Sequence, residues 1–289
     1  MHTDSVFYNT LELVRDGYHL RCLLEGQGTP TFVIGSHIYY PRTFSSHLRE
    51  HLHLAFVDHR GYAETHDQHP PEHLELSRVL EDMEAFRQAL GWKDMVLVGH
   101  SGHAYMALEY AKKHPERVSH LVLIAAGPSQ SPEFEPIKER YFQEHASEER
   151  KMLQQKAFEG IEEAIAAHPE RRFVTYCLAM GPRSWMDPHY DAAWLWQDLP
   201  VNMDVMDLLW GATFRDIQTT RGLDRFQKPT LIVMGKEDYL VAPYFTWEPV
   251  LPEFADVTLK VMDHSGHTPQ LEEPEHFDAV LLAWLNTRK

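Results

Sequence analysis

The stretch GHSGH at residues 99–103 sets one serine between two histidines and two glycines. A serine hydroxyl is a poor nucleophile near neutral pH and needs a base to take its proton. The flanking histidines are near in sequence but badly placed. His100 closes an apolar run, so its side chain is expected on the opposite side of a sheet from Ser101. His103 falls two positions on, in what reads as a first helical turn, where i and i+2 do not face each other. The base is therefore expected elsewhere in the chain. The plainer alternative is that Ser101 only caps a helix.

Two late loops carry the missing chemistry. KEDYLVAP, residues 236–243, follows an apolar run and offers Glu237 and Asp238. DHSGHTPQLEEPEHF, residues 263–277, follows the next run and offers His264 and His267. Gly266 gives His267 a freely turning approach, so His267 is the preferred base, while His264 shapes the loop or faces solvent. The order serine, acid, histidine suits a strand-to-helix nucleophile turn. In that arrangement Ser101 attacks a carbonyl, the histidine shuttles the proton, and the acid steadies the imidazolium. An oxyanion hole is also required. Its expected donors are the Gly102 N–H and an N–H of the loop Gly35-Ser36-His37, with Ser36 ahead of His37.

These groups need a scaffold that brings them to one rim. TFVI (31–34), HLAFV (53–57), MVLVG (95–99), HLVLIAA (120–126), TLIVMG (230–235) and VTLKVM (257–262) read as strands buried on both faces. Helical spacing fills 74–90, 102–113 and 274–286 between and after them. Residues 6–24 read as two weaker strands joined around Asp16-Gly17. The alternation predicts a mostly parallel α/β sheet, whose ligands bind at the carboxyl ends of the strands. It fails between 129 and 224, where the readable periodicity is helical, as in 158–167 and 201–210. The expected domains are a core of 1–128 with 225–289 and a helical cap of 129–224.

Composition narrows the function. The chain has 289 residues and a formal net charge of −16, a field that repels phosphate backbones and argues against nucleic-acid partners. No apolar run approaches roughly 18 residues, and no basic and apolar leader opens the chain, so the reading is a soluble, cytoplasmic protein without a membrane span. Cys22 and Cys177 are expected to be free thiols. Despite 20 histidines, no HExxH, CxxC or compact His/Asp cluster stands out, and the chemistry calls for no metal or cofactor.

The motifs Gly99-His100-Ser101-Gly102, Asp58-His59-Arg60-Gly61, Gly235 to Asp238 and Gly266-His267 resemble those of the α/β-hydrolase superfamily, and the resemblance runs through the whole chain. It implies an eight-stranded, mainly parallel sheet with a cap after the sixth strand. It also favours Asp238 over Glu237 as the acid. The similarity is greatest to the branch holding proline iminopeptidases and small serine esterases. Two motifs depart from the iminopeptidase pattern: HGGPG is Ile34-Gly35-Ser36-His37-Ile38 here, and GGSWG is GHSGH. Dehalogenases and epoxide hydrolases carry aspartate where this chain has Ser101.

The expected function is a serine hydrolase for a small ester, thioester, lactone or amide. The alternatives are an iminopeptidase-type aminopeptidase and a ligand-binding member of the fold that hydrolyses nothing. An aminopeptidase would draw on acidic residues such as Glu133, Glu135, Glu139 and Glu144. His103, His37, Trp185 and Trp210 are the candidate pocket residues, with Trp194, Trp196, Met203 and Met206 as further apolar lining. His103 is expected to shape the wall, leaving Gly102 and Ala104 to let the helix pack closely. The pair Asp58 and Arg60 reads as a loop pin built on charge-assisted hydrogen bonds. The partner is a small-molecule substrate, and the assembly a monomer or homodimer.

Overall fold

The computed structural model describes residues 9–65 and 68–288. Two short strands, β1 (Asn9–Arg15) and β2 (Tyr18–Glu25), pair antiparallel. Asp16 and Gly17 join them at φ 50° and 83°, the left-handed pair that a twisted two-residue hairpin requires. Residues 6–8 of the expected first strand lie outside the described residues. Then come β3 (Thr29–Gly35), β4 (Leu52–Asp58), β5 (Met95–His100), β6 (Val118–Ile124), β7 (Thr230–Gly235) and β8 (Val257–Met262). The sheet order is β1-β2-β4-β3-β5-β6-β7-β8, and every pairing from β4 onward to β8 is parallel.

Helix α1 (Leu76–Ala89) precedes β5, and α2 (Gly102–Lys113) follows it. β5 is buried at every position because helices cover both faces of the sheet's centre. β8 differs from the fully buried strand expected of it. As an edge strand it pairs on one side only, and Lys260 faces water there.

Between β6 and β7 no strand forms among the described residues, and the helices there are α3 (Glu135–His145), α4 (Glu148–Ala157), α5 (Ile161–Ala167), α6 (Arg172–Ala179), α7 (Gly181–Ser184), α8 (Met203–Leu208) and α9 (Phe214–Asp216). The helix expected over 158–167 begins only at Ile161, because Gly160 takes a left-handed conformation at φ 74°. The one expected over 201–210 opens at Met203, capped by the Asn202 side chain, and runs on through Thr213 with a wider π turn. After β8 come α10 (Pro269–Glu272) and α11 (Pro274–Thr287). No helix among the described residues is long and apolar enough to cross a membrane. Cys22 and Cys177 are both unpaired.

Candidate active site

β5 runs into α2 with Ser101 as the only hinge. Ser101 sits at φ 56°, ψ −133°, a conformation that costs an L-residue about 1–3 kcal/mol and persists only where its surroundings fix it. They do so here. The Ser101 N–H donates to the Ile124 carbonyl at the end of β6 (2.8 Å), and its own carbonyl accepts from Ala104 (2.9 Å). The turn leaves the hydroxyl above the sheet at a helix N-terminus, where unpaired N–H groups favour negative charge.

The room for this turn comes from a position other than the expected ones. A Cβ at Gly99 would lie 2.7 Å from the Ala104 Cα, so glycine on the strand is what lets α2 approach. Gly102 makes room for something else: a Cβ there would lie 2.7 Å from the Trp210 ring, which covers the first turn of α2.

The loop after β7 presents Asp238, 1% exposed. One carboxylate oxygen accepts from the Leu240 N–H (3.0 Å), and the other is 2.8 Å from His267 Nδ1. A carboxylate only accepts, so Nδ1 carries the proton and Nε2 keeps its lone pair. Ser101 and His267 line the same cavity of about 1240 Å³ between the sheet rim and the helical segment. The rivals point elsewhere. Glu237 accepts from the Tyr239 hydroxyl (2.7 Å) and lies 3.9 Å from Arg150. His264 is exposed, its N–H held by Glu273 (2.7 Å).

His100 corrects the reading that put it across the sheet. It shares its face of β5 with Val96 and Val98, which pack with Phe277 and Leu281 of α11. The loop carrying His267 crosses the rim of that same face. Ser101 has left strand geometry, so alternation no longer separates the two side chains. The His100 and His267 rings lie 4.9 Å apart, and both line the cavity. His100 nevertheless has both nitrogens engaged: Nε2 with the His267 carbonyl (2.6 Å) and Nδ1 with the Tyr40 hydroxyl (3.2 Å). Burial drives its pKa well below that of an ordinary histidine.

His103 lines the cavity as well. Its Nδ1 lies 2.7 Å from the Tyr40 hydroxyl and 3.1 Å from the His100 carbonyl. Burial pushes its pKa down to about 3. Of the other pocket candidates, Trp185, Trp196, Trp210, Met203 and Met206 line the cavity, whereas Trp194 is 44% exposed and stands outside it.

His37 does not line the cavity. Asp58 is buried and needs donors, and it takes the His37 N–H (2.8 Å), the His37 Nδ1 and the Arg21 N–H (3.0 Å). The His37 N–H is thus engaged away from any oxyanion. Ser36 is fully buried, and its hydroxyl shapes the loop by accepting from the Ile38 and Tyr39 N–H groups (3.0 and 3.1 Å). Arg60 does not pair with Asp58: it ties the β1–β2 turn to α1 through Asp16 (2.8 Å) and Asp82 (2.6 Å).

Two features escaped the sequence reading. Glu272 of α10 is a clamp. One oxygen accepts from the Gly266 and Thr268 N–H groups (3.2 and 2.9 Å), which flank His267, and the other accepts from Met186 of the helical segment (2.6 Å). Burial raises its pKa. The His267 N–H donates to the Ser184 carbonyl beside this clamp (2.5 Å). Nothing in a single sequence separates Glu272 from Glu273 and Glu275. The second feature is a compact cluster, which the sequence reading did not single out: His47, Glu50 and His51 stand together on the exposed turn before β4, away from the cavity. They are four positions apart at most, so a helical turn alone gathers them.

A model of the alpha/beta hydrolase fold family matches residues 23–274. The chain belongs to the α/β-hydrolase fold family. It is 41% identical over 271 residues to the AB hydrolase superfamily protein YclE of Bacillus subtilis, covering 94% of this chain and 96% of that one. It is 24% identical over 247 residues to the proline iminopeptidase PfmaB of Pestalotiopsis fici, covering 83% of each. Among solved structures, VinJ superposes with a TM-score of 0.74 at 19% identity, over 97% of this chain and 99% of that one, a likeness of fold.

Proposed function

We propose that this chain is a serine hydrolase that cleaves a small carboxylic ester, thioester, lactone or amide through an acyl-enzyme on Ser101. One observation carries the reading. A single cavity is bounded by a serine on a strained strand-to-helix turn and by a histidine whose Nδ1 is held by a buried carboxylate.

In this mechanism the His267 Nε2 lone pair takes the Ser101 proton as Oγ attacks the substrate carbonyl. Asp238 stabilises the resulting imidazolium without itself becoming protonated. The Gly102 N–H, joined by that of Ser36, receives the negative charge on the carbonyl oxygen. The tetrahedral species collapses, and His267 returns the proton to the leaving alcohol, thiol or amine. Water, deprotonated by the same nitrogen, then attacks the acyl carbon, and as the C–Oγ bond breaks His267 returns that proton to Ser101 and the acid leaves. Residues 129–224 act as the cap over a core of 1–128 and 225–289, and the cap's apolar side chains select the substrate.

The cavity's charges favour esters and lactones over peptides with a free amino terminus. Its acidic side chains are Glu135, Glu139 and Asp207, and each is paired with a cation: Lys138 (2.6 Å), Arg183 (2.7 Å) and Arg172. Of the other two acidic candidates, Glu133 holds Ser131, and Glu144 is exposed outside the cavity. Among the described residues, an α-ammonium group meets no unpaired carboxylate in this cavity. A panel of p-nitrophenyl acetate and butyrate against Pro-p-nitroanilide tests this, with Ser101→Ala as the blank. Ester turnover is expected to lead, and faster turnover of Pro-p-nitroanilide overturns the preference.

A further inference from the structure

Among the described residues, one group of metal-ligating side chains gathers outside the cavity: His47, Glu50 and His51. A short helical turn, His47–Glu50, carries the first two, and His51 closes it by donating its N–H to the Leu48 carbonyl. Leu48 is wholly buried, so the turn is anchored inward, and His47, Glu50 and His51 are left on its exposed side. Spacings of three and four positions bring their side chains together there. One ligand atom from each lies within 4.8 Å of the other two. His47 Nδ1 is 3.6 Å from the Glu50 carboxylate, and the His47 and His51 rings lie 4.9 Å apart, edge to face.

These groups can be reached from solvent and can close on an ion. The His47 side chain is 54% exposed and that of Glu50 70%. Tetrahedral bonds of about 2.1 Å set ligand atoms about 3.4 Å apart, so movements of about 1 Å by unburied side chains complete the geometry. No neighbouring cation stands in the way. Arg49 turns its guanidinium aside, onto the Pro41, Phe44 and Ser45 carbonyls (3.0, 2.8 and 2.7 Å) and the Glu25 carboxylate (2.7 Å). The start of the turn is instead tied to an acid. Ser45 Oγ accepts from the Leu48 N–H (3.3 Å) and donates to Asp278 of α11 (2.5 Å), whose other oxygen is buried without a partner among the described residues. Burial raises the Asp278 pKa, and the Ser45 hydroxyl and charge on His47 and His51 pull it back, so both rings lie within its field. An acid so placed favours a cation at the turn.

We propose that His47, Glu50 and His51 form a surface site for a divalent transition-metal ion of the zinc, nickel and copper group. Two imidazoles and one carboxylate suit those ions, whereas Mg²⁺ and Ca²⁺ ask for oxygen ligands. Three protein ligands hold the ion from one side, and water completes its shell on the open side. None of the three residues lines the cavity, so the ion takes no part in the chemistry at Ser101, and its binding does not depend on the hydrolase reading. Its effect is to pin the turn that leads into β4.

Titration calorimetry of the full chain, freed of metal with EDTA and dialysed, tests this with ZnCl₂. The wild type is compared with Glu50→Gln and with the double variant His47→Ala/His51→Ala. All three positions are exposed, so both variants are expected to fold, and circular dichroism checks that they do. The chain holds 20 histidines, so the readout is the difference between wild type and variants. The wild type is expected to bind one Zn²⁺ that the double variant does not. Glu50→Gln is expected to weaken that binding by about 10-fold or more, the loss that even a residue supporting a ligand causes. NiCl₂ and CuCl₂ should show the same difference, with Cu²⁺ the tightest, and MgCl₂ should show none. Identical Zn²⁺ isotherms for the wild type and the double variant overturn the proposal. So does a wild type with no saturable binding up to about 1 mM Zn²⁺. Binding of Mg²⁺ as tight as that of Zn²⁺ overturns it as well.

Discussion

His267 and the group His59, His100 and His103 share the carboxyl rim of one sheet but keep different company. His267 meets a buried carboxylate at 2.8 Å. The other three meet carbonyls, a tyrosine hydroxyl, a backbone N–H and each other's rings, all of them neutral. A histidine can take a proton inside a protein when a nearby negative charge offsets the cost of burying the cation. Without that charge, burial holds the ring neutral, and its value lies in fixed donors and acceptors. Distance from the serine along the chain says nothing of this. The two histidines beside Ser101 are among those that burial holds neutral.

Substitutions on the two sides of this contrast should therefore differ by orders of magnitude. Ser101→Ala and His267→Ala are each expected to lower kcat on a simple ester by about 10⁴-fold or more. Asp238→Asn should lower it by about 10³- to 10⁴-fold, because an amide can hold the imidazole in the wrong tautomer and cannot stabilise the imidazolium. Steady-state kinetics on purified, folded variants reads these losses. A Glu237→Gln loss larger than that of Asp238→Asn would move the acid to Glu237.

Glu272→Ala comes next. It frees the loop around His267 without touching the cavity chemistry, and small misplacements of a catalytic group are costly. The expected loss is about 10- to 100-fold in kcat with KM little changed. A rise in KM with kcat intact would instead mark Glu272 as a support for the cap.

His103→Phe is expected to cost less than about 10-fold on p-nitrophenyl butyrate, because its Nδ1 is engaged with Tyr40 and the His100 carbonyl and its ring takes no part in the proton transfer. Its larger signature is in stability against pH. The folded His103 pKa of about 3 lies below that of an unfolded histidine. Its contribution is thus fully present above the unfolded value, near 6.5, and is lost as pH falls toward 3, where the unfolded chain binds a proton that the folded chain refuses. Removing the ring should lessen the slope of unfolding free energy between about pH 6 and pH 4 by about 1.4 kcal/mol per pH unit. Denaturant titrations across that window measure it. Glu237→Gln has the smallest expected effect, within about threefold in kcat, since its partners are Tyr239 and a distant Arg150.

The strands and the strand-to-helix turn at Ser101 were legible in the sequence because local pattern fixes them. Short apolar runs ending in turn residues became β3 to β7, and the helix expected over 102–113 became α2. The late loops were legible because strand ends share a rim. What was hidden depended on three-dimensional neighbours. His100 was misplaced because alternation was carried one residue past the strand, into a turn at positive φ. His37 read as a pocket and oxyanion residue, and only the buried Asp58 beside it shows why its N–H is taken. The space for α2 was credited to Gly102 and Ala104, whereas the close contact falls on Gly99. The hydrogen-bond chain through Tyr40 has no sequence signature, because its partners come from β5, α2 and the loops after β3 and β8.

The central claim is that Ser101, with His267 and not its adjacent histidines as base, is the nucleophile. Labelling with a fluorophosphonate, followed by intact mass and peptide mapping, tests it most directly. The account predicts one adduct, on Ser101, formed by the wild type and by His103→Ala and lost in His267→Ala. No adduct on the wild type, an adduct at another residue, or labelling that survives His267→Ala but not His103→Ala would contradict it.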